Sequence, residues 1–420
     1  MDSAPKRLLL LEAQLCRKQT LAHRTLEAES DLLELCGFSS IFPEPINRKR
    51  AAIRRMLDDK AEAILNAYET DTFPEELKTL IKNLGVFGYD AQLDLLYTPS
   101  IIEKAAVGYE LSRIDASIST FWVVQQELVI TSIQHLASLE QQDKYIPALR
   151  RMDLIGSWGL TEPDAGSDAS GLELAATPVA GGYRLKGYKK WIGNAEFSDI
   201  MVIFARNTET SKVIGLIVES RSPGIKVQHI KHKLAVRALM NGLIEFDDVF
   251  VPIENHMPKA QDFESGPVAI LGLSRLGIIW TAIGTIAGAY EYTVNYLCKT
   301  PLISRDLASI RERLGRMLSL YKSSVLVVNH QTNLLMQGKG SIGQVSYVKA
   351  EISKACYEVI KIGCELLQEQ GLLLDNILIK FRADMEPMIT GEGSYEVGIL
   401  VAGRELTGIP SIKSSYVMNC

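Results

Sequence analysis

The chain lacks an excess of charge of either sign. Lys and Arg together number 45 and Asp and Glu number 50, so the formal net charge is −5. A strongly basic field is the usual signature of a protein that binds nucleic acid, and without one only local patches are left for polyanions. We therefore expect no nucleic-acid partner.

The chain also lacks closely spaced cysteines and long apolar runs. No CxxC pair occurs, which predicts reduced thiols in a reducing compartment at Cys16, Cys36, Cys298, Cys356, Cys364 and Cys420. The N-terminal apolar run is broken by Glu12 and has no small-residue cleavage site. No stretch of the sequence reaches the roughly 18 to 20 apolar residues that a bilayer requires. These absences predict a cytoplasmic protein with no membrane partner.

The length and the apolar content of the chain are sufficient for a large folded protein. Its 420 residues are 47% hydrophobic, enough for a large core and for two or three domains or one large layered domain. The fold class expected is α+β, with a helical domain, then a β domain of barrel or sandwich type, then a four-helix bundle. The predicted bounds are 1–72 for an N-terminal helical extension, 73–155 for the helical domain, 156–262 for the β domain and 263–420 for the bundle.

Periodicity supports this order. Leu77, Leu80, Ile81 and Leu84 follow i, i+3, i+4, i+7 spacing, which predicts an amphipathic helix ending at Gly85. Short β-branched and aromatic runs separated by glycine turns predict a hairpin and further strands at 174–179, 183–186, 201–205, 213–218, 225–230 and 243–246. Longer helical patterns follow at 268–297, 307–337, 344–367 and 395–404.

One formal dinucleotide pattern, GxGxxG, occurs at 338–343. A phosphate-binding fingerprint must follow a strand and open a helix, whereas this one follows a long helical pattern. It therefore predicts a turn between two helices. The sequence contains no P-loop, GxSxG, HExxH or EF-hand pattern, and its six histidines form no cluster, so no metal site is expected.

Two polar motifs stand out within the predicted β domain. The first is LTEPDAGSD at 160–168, and the second is KWIGNA at 190–195. The small and acidic residues of the first predict a tight turn with free backbone N–H groups and hydroxyls, which can hold a phosphate or the edge of a polar heterocycle. An ordinary polar loop is the alternative reading.

At these motifs the sequence resembles the acyl-CoA dehydrogenase and oxidase superfamily of flavoproteins, especially the glutaryl-CoA dehydrogenase and short-chain acyl-CoA oxidase branch. The resemblance covers roughly residues 73 to 412. It implies FAD as cofactor and a homodimer or homotetramer. It also implies that the isoalloxazine or the pyrophosphate is lined by Leu160, Thr161, Gly166, Ser167, Trp191 and Gly193.

A second stretch, TGEGSYE at 390–396 followed by GRELTG at 403–408, resembles a loop and an ending of the same family. The resemblance places Glu392 on the catalytic base, Ser394 and Glu396 on the cofactor, and Gly391 and Arg275 on the substrate. The residues agree with this: glycines on both sides let a carboxylate approach a ligand closely, and burial beside an acyl chain raises its pKa. An ordinary loop glutamate is the alternative reading.

The activity implied is α,β-dehydrogenation of an acyl thioester, with Glu392 removing the α proton and hydride passing to the flavin. The acyl group is carried by coenzyme A or by an acyl carrier protein, and electrons leave to an electron-transfer flavoprotein or to O₂. Basic residues at 48–50 and 54–55 read as a solvated helix face or as a docking surface for an acidic carrier.

The chain departs from the family in three places. The stretch that clamps FAD has Thr300, Leu302, Ile303, Ser304 and Asp306 at its usual Arg, Gln, Phe, Gly and Pro positions. The glycine turn near the pyrophosphate reads Gln368–Gly371, and Glu369 adds negative charge there. Ser119 stands where glutaryl-type enzymes carry an arginine, which argues against glutarate, and Gly391 in place of a tyrosine leaves room for a bulkier acyl group.

The first two departures motivate a second hypothesis. In it the protein has weakened or lost FAD binding and uses Glu392 for thioester isomerisation or dehydration, or serves as a binding scaffold.

Overall fold

The computed structural model describes residues 32–299 and 307–409. Three groups of predictions lie outside the described residues. They are those on residues 1–31, those on the FAD-clamp stretch from Thr300 to Asp306, and those on the C-terminal residues 410–420. Cys16 and Cys420 lie outside with them.

Helices form the first part of the described chain. They are α1 (Leu32–Leu35), α2 (Glu44–Asp58), α3 (Ala61–Glu69), α4 (Glu75–Asn83), α5 (Ile101–Ile114), α6 (Ala116–Trp122), α7 (Thr131–Leu136) and α8 (Leu139–Arg150). The predicted amphipathic helix is α4, and all four of the residues that define its apolar face are buried. Between α6 and α7 the chain is wound as a π-helix over Val123–Ile130, and a small hairpin pairs β1 (Tyr89–Asp90) with β2 (Leu95–Leu96).

The basic cluster on α2 does not form a free cationic face. Arg50 and Arg54 both bind the carboxylate of Glu110, which is fully buried in α5, at 2.7 and 3.0 Å. Lys49 binds Glu103 at 2.7 Å. The reading of these residues as a solvated helix face or a docking surface is therefore wrong for three of the five cations, because a buried carboxylate needs cationic partners and α2 supplies them.

A curled seven-stranded sheet follows. Its strands are β3 (Gly156–Gly159), β4 (Ala175–Val179), β5 (Gly182–Ile192), β6 (Ile200–Asn207), β7 (Val213–Glu219), β8 (Ile225–His229) and β9 (Gly242–Pro252). The order is β3-β6-β4-β5-β9-β8, with β7 on β6. β6 pairs in parallel with β3 and β4, and the other pairs are antiparallel. The predicted hairpin is β4 with β5, joined at the left-handed Gly181.

The last part of the described chain contains five helices, α9 (Ala269–Lys299), α10 (Leu307–Met336), α11 (Ile342–Leu366), α12 (Ile377–Thr390) and α13 (Tyr395–Thr407). Sequence periodicity predicts four of them and misses α12. The GxGxxG pattern is the predicted turn between helices α10 and α11, and Ser341 caps α11 by accepting a hydrogen bond from the N–H of Gln344.

The helix α9 is more apolar than the sequence analysis expected. Together with the π-helical residues Glu264–Val268 directly before it, it forms a segment, Glu264–Lys299, that is long and apolar enough to cross a membrane by length and composition. Its mean hydropathy is 1.6 over the most apolar window. The expectation that no segment reaches that length is wrong in this respect. Because 72% of that window is buried inside the protein, the apolar content is that of a core helix.

Among the described residues, Cys36, Cys298, Cys356 and Cys364 are reduced thiols outside any disulfide, as expected. Cys356 and Cys364 are buried, while Cys36 and Cys298 are half-buried. Burial raises the pKa of the Cys356 thiol, so this group is an inert part of the core.

Candidate active site

Glu392 lies in the turn that joins α12 to α13. Its φ is +50°, and Gly393 after it has a φ of +94°, so two successive residues adopt the left-handed region. A glutamate in that region is unusual and marks a position that the surrounding structure enforces. The turn presents the Glu392 side chain toward the first turns of α9, where Ser274 Oγ donates a hydrogen bond to Oε2 at 3.1 Å.

The carboxyl group of Glu392 is desolvated, although the residue as a whole is half-buried. This desolvation raises the pKa of Glu392, and the Ser274 hydrogen bond and the charges of Arg275 and Lys349 oppose the rise. The negative charge of Glu127 adds to it. A carboxylate with a raised pKa is a stronger base than an ordinary one, which suits proton abstraction from carbon.

Two buried cations hold the backbone around Glu392. Arg275 Nε donates to the carbonyl oxygen of Glu392 at 3.2 Å, and its Nη1 donates to Ser346 Oγ at 2.7 Å. Lys349 Nζ donates to the carbonyl oxygens of Gly391 and Gly393 at 2.8 and 2.7 Å. Arg275 thus lies beside Glu392 and its polar contacts in this structure are with the protein itself, while its assignment and that of Gly391 to the substrate stay predictions.

A second carboxylate, that of Glu127 in the π-helix, contacts α9 one helical turn away from the point where Glu392 contacts it. Ser274, which binds Glu392, and Gly277, which packs on the side chain of Glu127, are spaced i, i+3 and share a face of α9. Glu127 is 2% exposed and pairs with Lys104 at 2.7 Å through Oε2. Its Oε1 has no hydrogen-bond partner among the described residues.

The LTEPDAGSD turn follows β3 and is fastened by a buried ion pair. Lys189, on β5, binds Glu162 at 2.7 Å and donates to the carbonyl oxygen of Leu160 at 2.9 Å. Glu162 also accepts hydrogen bonds from the N–H groups of Glu173 and Leu174. Burial lowers the pKa of Lys189 to about 8, opposed by Glu162. The start of the turn is therefore held by Lys189 of β5 and by the N–H groups of Glu173 and Leu174.

The far end of this turn is open. Gly166 and Ser167 are exposed, and their backbone N–H groups have no acceptor within the described parts of the chain. Leu160 is buried, and Thr161 is half-buried with its carbonyl oxygen bonded to the N–H of Lys190. The second motif is thereby bound directly to the first, and free donors lie beside them as predicted.

Trp191 is the most unusual aromatic residue of this region. Its φ is +63°, the register of β5 against β9 shifts around it, and its side chain is 54% exposed. Gly193 follows at the point where β5 ends against the π-helix, so a Cβ there would lie 3.0 Å from Val124 Cγ2. A large aromatic surface is therefore presented to solvent, one residue after Lys190, whose N–H binds the first motif.

The π-helix contacts both the KWIGNA motif and the part of α9 that binds the Glu392 turn. Gly193 packs on Val124, and Glu127, three residues further along, packs on α9 next to the Glu392 contact. Residues more than 190 positions apart in the sequence thus face the same short segment. Ser394 and Glu396 lie at the start of α13, where Ser394 caps the helix and donates to Glu396 at 2.9 Å. Their assignment to the cofactor stays a prediction.

Sequence reasoning missed several residues of this site. Lys189, Ser274, Ser346, Lys349, Glu127 and Lys104 all contact the motif residues or each other there. Lys189 directly precedes the second motif, and this position is a weak indication in the sequence that it belongs to the site. The others are separated from their partners by more than 20 positions, and a single lysine or serine in a helical pattern gives no sign of what it will contact.

Solved structures with the same fold include glutaryl-CoA dehydrogenase from Mycobacterium smegmatis, with a TM-score of 0.84, 25% identity and coverage of 92% of this chain and all of that one. A second structure of that enzyme, described as a complex with FADH2, matches with the same score. Among curated proteins, an acyl-CoA dehydrogenase of Bacillus subtilis is 27% identical over 384 residues, covering 86% of this chain and 99% of that protein. Isovaleryl-CoA dehydrogenase of Pongo abelii is 24% identical, covering 84% and 85%.

The fold and the site define an oxidoreductase class that combines a helical domain, a β domain and a helical bundle with a desolvated carboxyl group. Models of the N-terminal, middle and C-terminal domains of acyl-CoA dehydrogenase match residues 46–153, 157–249 and 268–407. The chain belongs to the acyl-CoA dehydrogenase family.

Proposed function

We propose that the protein is an FAD-dependent dehydrogenase of acyl-CoA thioesters in which Glu392 abstracts the α proton. The observation that supports this most directly is the Glu392 turn. It combines a left-handed backbone, a desolvated carboxyl group with a raised pKa, and hydrogen bonds from Ser274, Arg275 and Lys349 that hold the carboxylate and its backbone in one position.

The residues near the LTEPDAGSD turn fit FAD. The exposed face of Trp191 suits the flat isoalloxazine, and the free N–H groups of Gly166 and Ser167 suit its polar edge or a phosphate. The half-buried Thr161 and Gly193 lie in the same two motifs, and the buried Leu160 lies directly before Thr161. FAD supplies the hydride acceptor, a role that no amino-acid side chain can fill.

The chain's own residues provide the proton transfer. Glu392, ionised and poorly solvated, takes the α proton of the thioester, and Ser274 orients the carboxylate through Oε2. The pairing of Glu127 with Lys104 and the apolar packing of α9 on the π-helix keep bulk water from this side of the base.

Coenzyme A is the carrier we propose. Three of the five cations of the basic cluster are bound to Glu103 and Glu110, so the acidic-carrier alternative loses its main support. The named relatives also act on CoA thioesters. Ser119, at the position of the glutaryl arginine, is buried and donates to the carbonyl oxygen of Ala116, which supports an acyl group without a distal carboxylate.

The test is anaerobic bleaching. The purified protein should be yellow, and one of a series of straight-chain and branched acyl-CoAs should bleach it. Glu392→Gln should keep the colour and lose the bleaching, whereas Glu386→Gln, which changes an exposed carboxylate on α12, should bleach like the wild type. Bleaching of the Glu392→Gln variant at the wild-type rate would show that Glu392 is not the base.

The same preparation separates the remaining alternatives. Release of peroxide during turnover in air indicates an oxidase, and dependence on an added electron-transfer flavoprotein indicates a dehydrogenase. A colourless protein that does not take up FAD, yet exchanges α-hydrogens of a thioester with solvent, would support the non-redox hypothesis instead.

A further inference from the structure

Lys349 makes an unusual set of contacts for a lysine within a helix. It lies on α11, is 2% exposed, and directs its ammonium group at the base-bearing turn. Its Nζ lies 2.8 Å from the carbonyl oxygen of Gly391, 2.7 Å from that of Gly393 and 3.5 Å from that of Ile389. An ammonium group has three N–H donors, and these carbonyl groups use all three.

The turn needs such support from outside. Glu392 and Gly393 are both left-handed, and for a residue with a side chain this conformation is strained because the Cβ atom lies too close to the following carbonyl oxygen. Within the turn, Gly391 N donates to Pro387 O at 2.6 Å, and this bond lies before the strained residues. The carbonyl groups on each side of Glu392 are held by Lys349, and its own carbonyl is held by Arg275.

We propose that Lys349 is a positioning residue of the proton-transfer step, its ammonium group clamping the carbonyls on both sides of Glu392 so that the carboxylate stays aimed at the α-carbon of the substrate. The inference rests on the proposed role of Glu392 and adds a residue that acts through that base. It also predicts how the clamp responds to pH.

The charges around the turn come from the turn itself, from α9, from α11, and from the π-helix with its partner on α5. Arg275 on α9 and Lys349 on α11 are cationic, Glu392 itself is anionic, and Glu127 of the π-helix, paired with Lys104, is the other carboxylate. Burial is the largest influence on the pKa of Lys349 and lowers it, Glu392 opposes the shift and Arg275 adds to it, so that together they lower the pKa to about 8. Above that pH the group becomes a neutral amine with two donors, so the clamp weakens in mildly alkaline solution.

The experiment uses trideuterated acetyl-CoA, which has α-hydrogens but no β-hydrogens and therefore cannot pass hydride to the flavin. Loss of deuterium to solvent, followed by mass spectrometry from pH 6 to 10 on the FAD-loaded protein, reports proton abstraction alone. Wild-type exchange should fall above about pH 8. Because small misplacements of a catalytic group cost up to about 100-fold, Lys349→Met should exchange about 10- to 100-fold more slowly at pH 7.5 and should lose the alkaline fall.

Two further variants make the result specific. Lys349→Arg keeps a charge that does not titrate in this range, so it should restore part of the rate and remove the alkaline fall. Lys233→Met is the matched control: Lys233 also donates to backbone carbonyls, at Val236 and Leu239, and desolvation lowers its pKa to about 8, but it lies in the β domain. This variant should keep the alkaline fall of the wild type.

The outcomes are distinct. The clamp is overturned if Lys349→Met loses deuterium at the wild-type rate and shows the same fall in rate at alkaline pH. It is also overturned if the alkaline fall persists in Lys349→Arg. If the wild type neither exchanges deuterium nor bleaches with any acyl-CoA, the proposed function itself is wrong. A Lys349→Met variant that does not fold leaves Lys349→Arg, whose pH profile decides the question.

Discussion

At the scale of single residues, the site is governed by buried charges that act on one carboxylate. Glu392 is surrounded by two cations that stabilise its ionised form and by one anion, Glu127, that destabilises it. Desolvation is the largest of these influences and raises the pKa. The basicity of Glu392 is therefore set by its neighbours, and a change in any one of them shifts the pH at which its carboxyl group ionises.

Replacing Glu127 with Gln tests this directly. The substitution removes a negative charge and leaves the cation Lys104 without its partner, and both changes favour ionised Glu392. The pKa of Glu392 should fall, so the rise of the bleaching rate with pH should occur at lower pH than in the wild type. The measurement is the rate of anaerobic bleaching against pH. A shift to higher pH would contradict the assignment, and Glu386→Gln should show none.

The buried pair of Lys189 and Glu162 shows the same dependence on partners. Removing one member of a buried ion pair typically costs about 3 to 5 kcal/mol because the other charge is left uncompensated. Lys189→Met should therefore lower the free energy of unfolding by about that amount, measured by urea denaturation. The double variant Lys189→Met with Glu162→Gln should lose less, since no lone charge remains. A double variant as unstable as the single one would argue against the pair as the cause.

At the scale of elements, close packing between α5 and α9 depends on glycine. A Cβ on Gly284 would lie 2.0 Å from the carbonyl oxygen of Tyr109, and one on Gly288 would lie 2.0 Å from that of Arg113. These distances are far below van der Waals contact with rigid backbone atoms. The two helices can approach each other only because these positions lack side chains, and this approach also positions the turns of α9 that carry Ser274 and Gly277.

A pair of alanine substitutions separates packing from helix propensity. Gly284→Ala should destabilise the protein because two backbones must move apart. Gly315→Ala, within α10, meets nothing within 4 Å, so it should stabilise the protein by up to about 1 kcal/mol through helix propensity alone. Thermal unfolding of both variants is the measurement. A Gly284→Ala variant as stable as the wild type would show that the contact is not tight.

At the scale of the whole molecule, charges also join the three parts of the fold. Lys380 of α12 binds Asp115, between α5 and α6, at 2.6 Å and Asp384 at 2.7 Å, all buried. Asp384 in turn accepts a hydrogen bond from the backbone N–H of Val236, in the β domain. A single cluster therefore connects the helical domain, the β domain and the bundle.

The surface carries an exposed apolar run after α11. Leu372, Leu373 and Leu374 are 77%, 44% and 88% exposed, and contiguous exposed apolar residues are typical of interfaces. We expect a homodimer or homotetramer that uses this run. The variant Leu372→Ser with Leu374→Ser should have a lower mass by light scattering than the wild type. Leu139→Ser, which changes an exposed leucine outside this run, should keep the wild-type mass. Equal masses for all three proteins would contradict this use of the run.

The sequence by itself determined the order of helical and β regions and the local shape of the motifs. Periodicity is a local property, so the face of α4, the β4–β5 hairpin and the turn between α10 and α11 could be predicted from neighbouring residues. The identity of Glu392 as the candidate base came from the resemblance of its loop to that of a known family, and the glycines on both sides of it agreed with that assignment.

Only the tertiary structure decided which partners the charged residues take. Lys349 meets a turn some 40 positions away, Glu127 meets α9 about 150 positions away, and Arg50 meets Glu110 across two helices. The sequence shows the charge of each residue but not the distance and burial that determine its effect. Because the pKa of a charged group depends on desolvation and on neighbours brought together by folding, the basicity of Glu392 belongs to the fold as a whole.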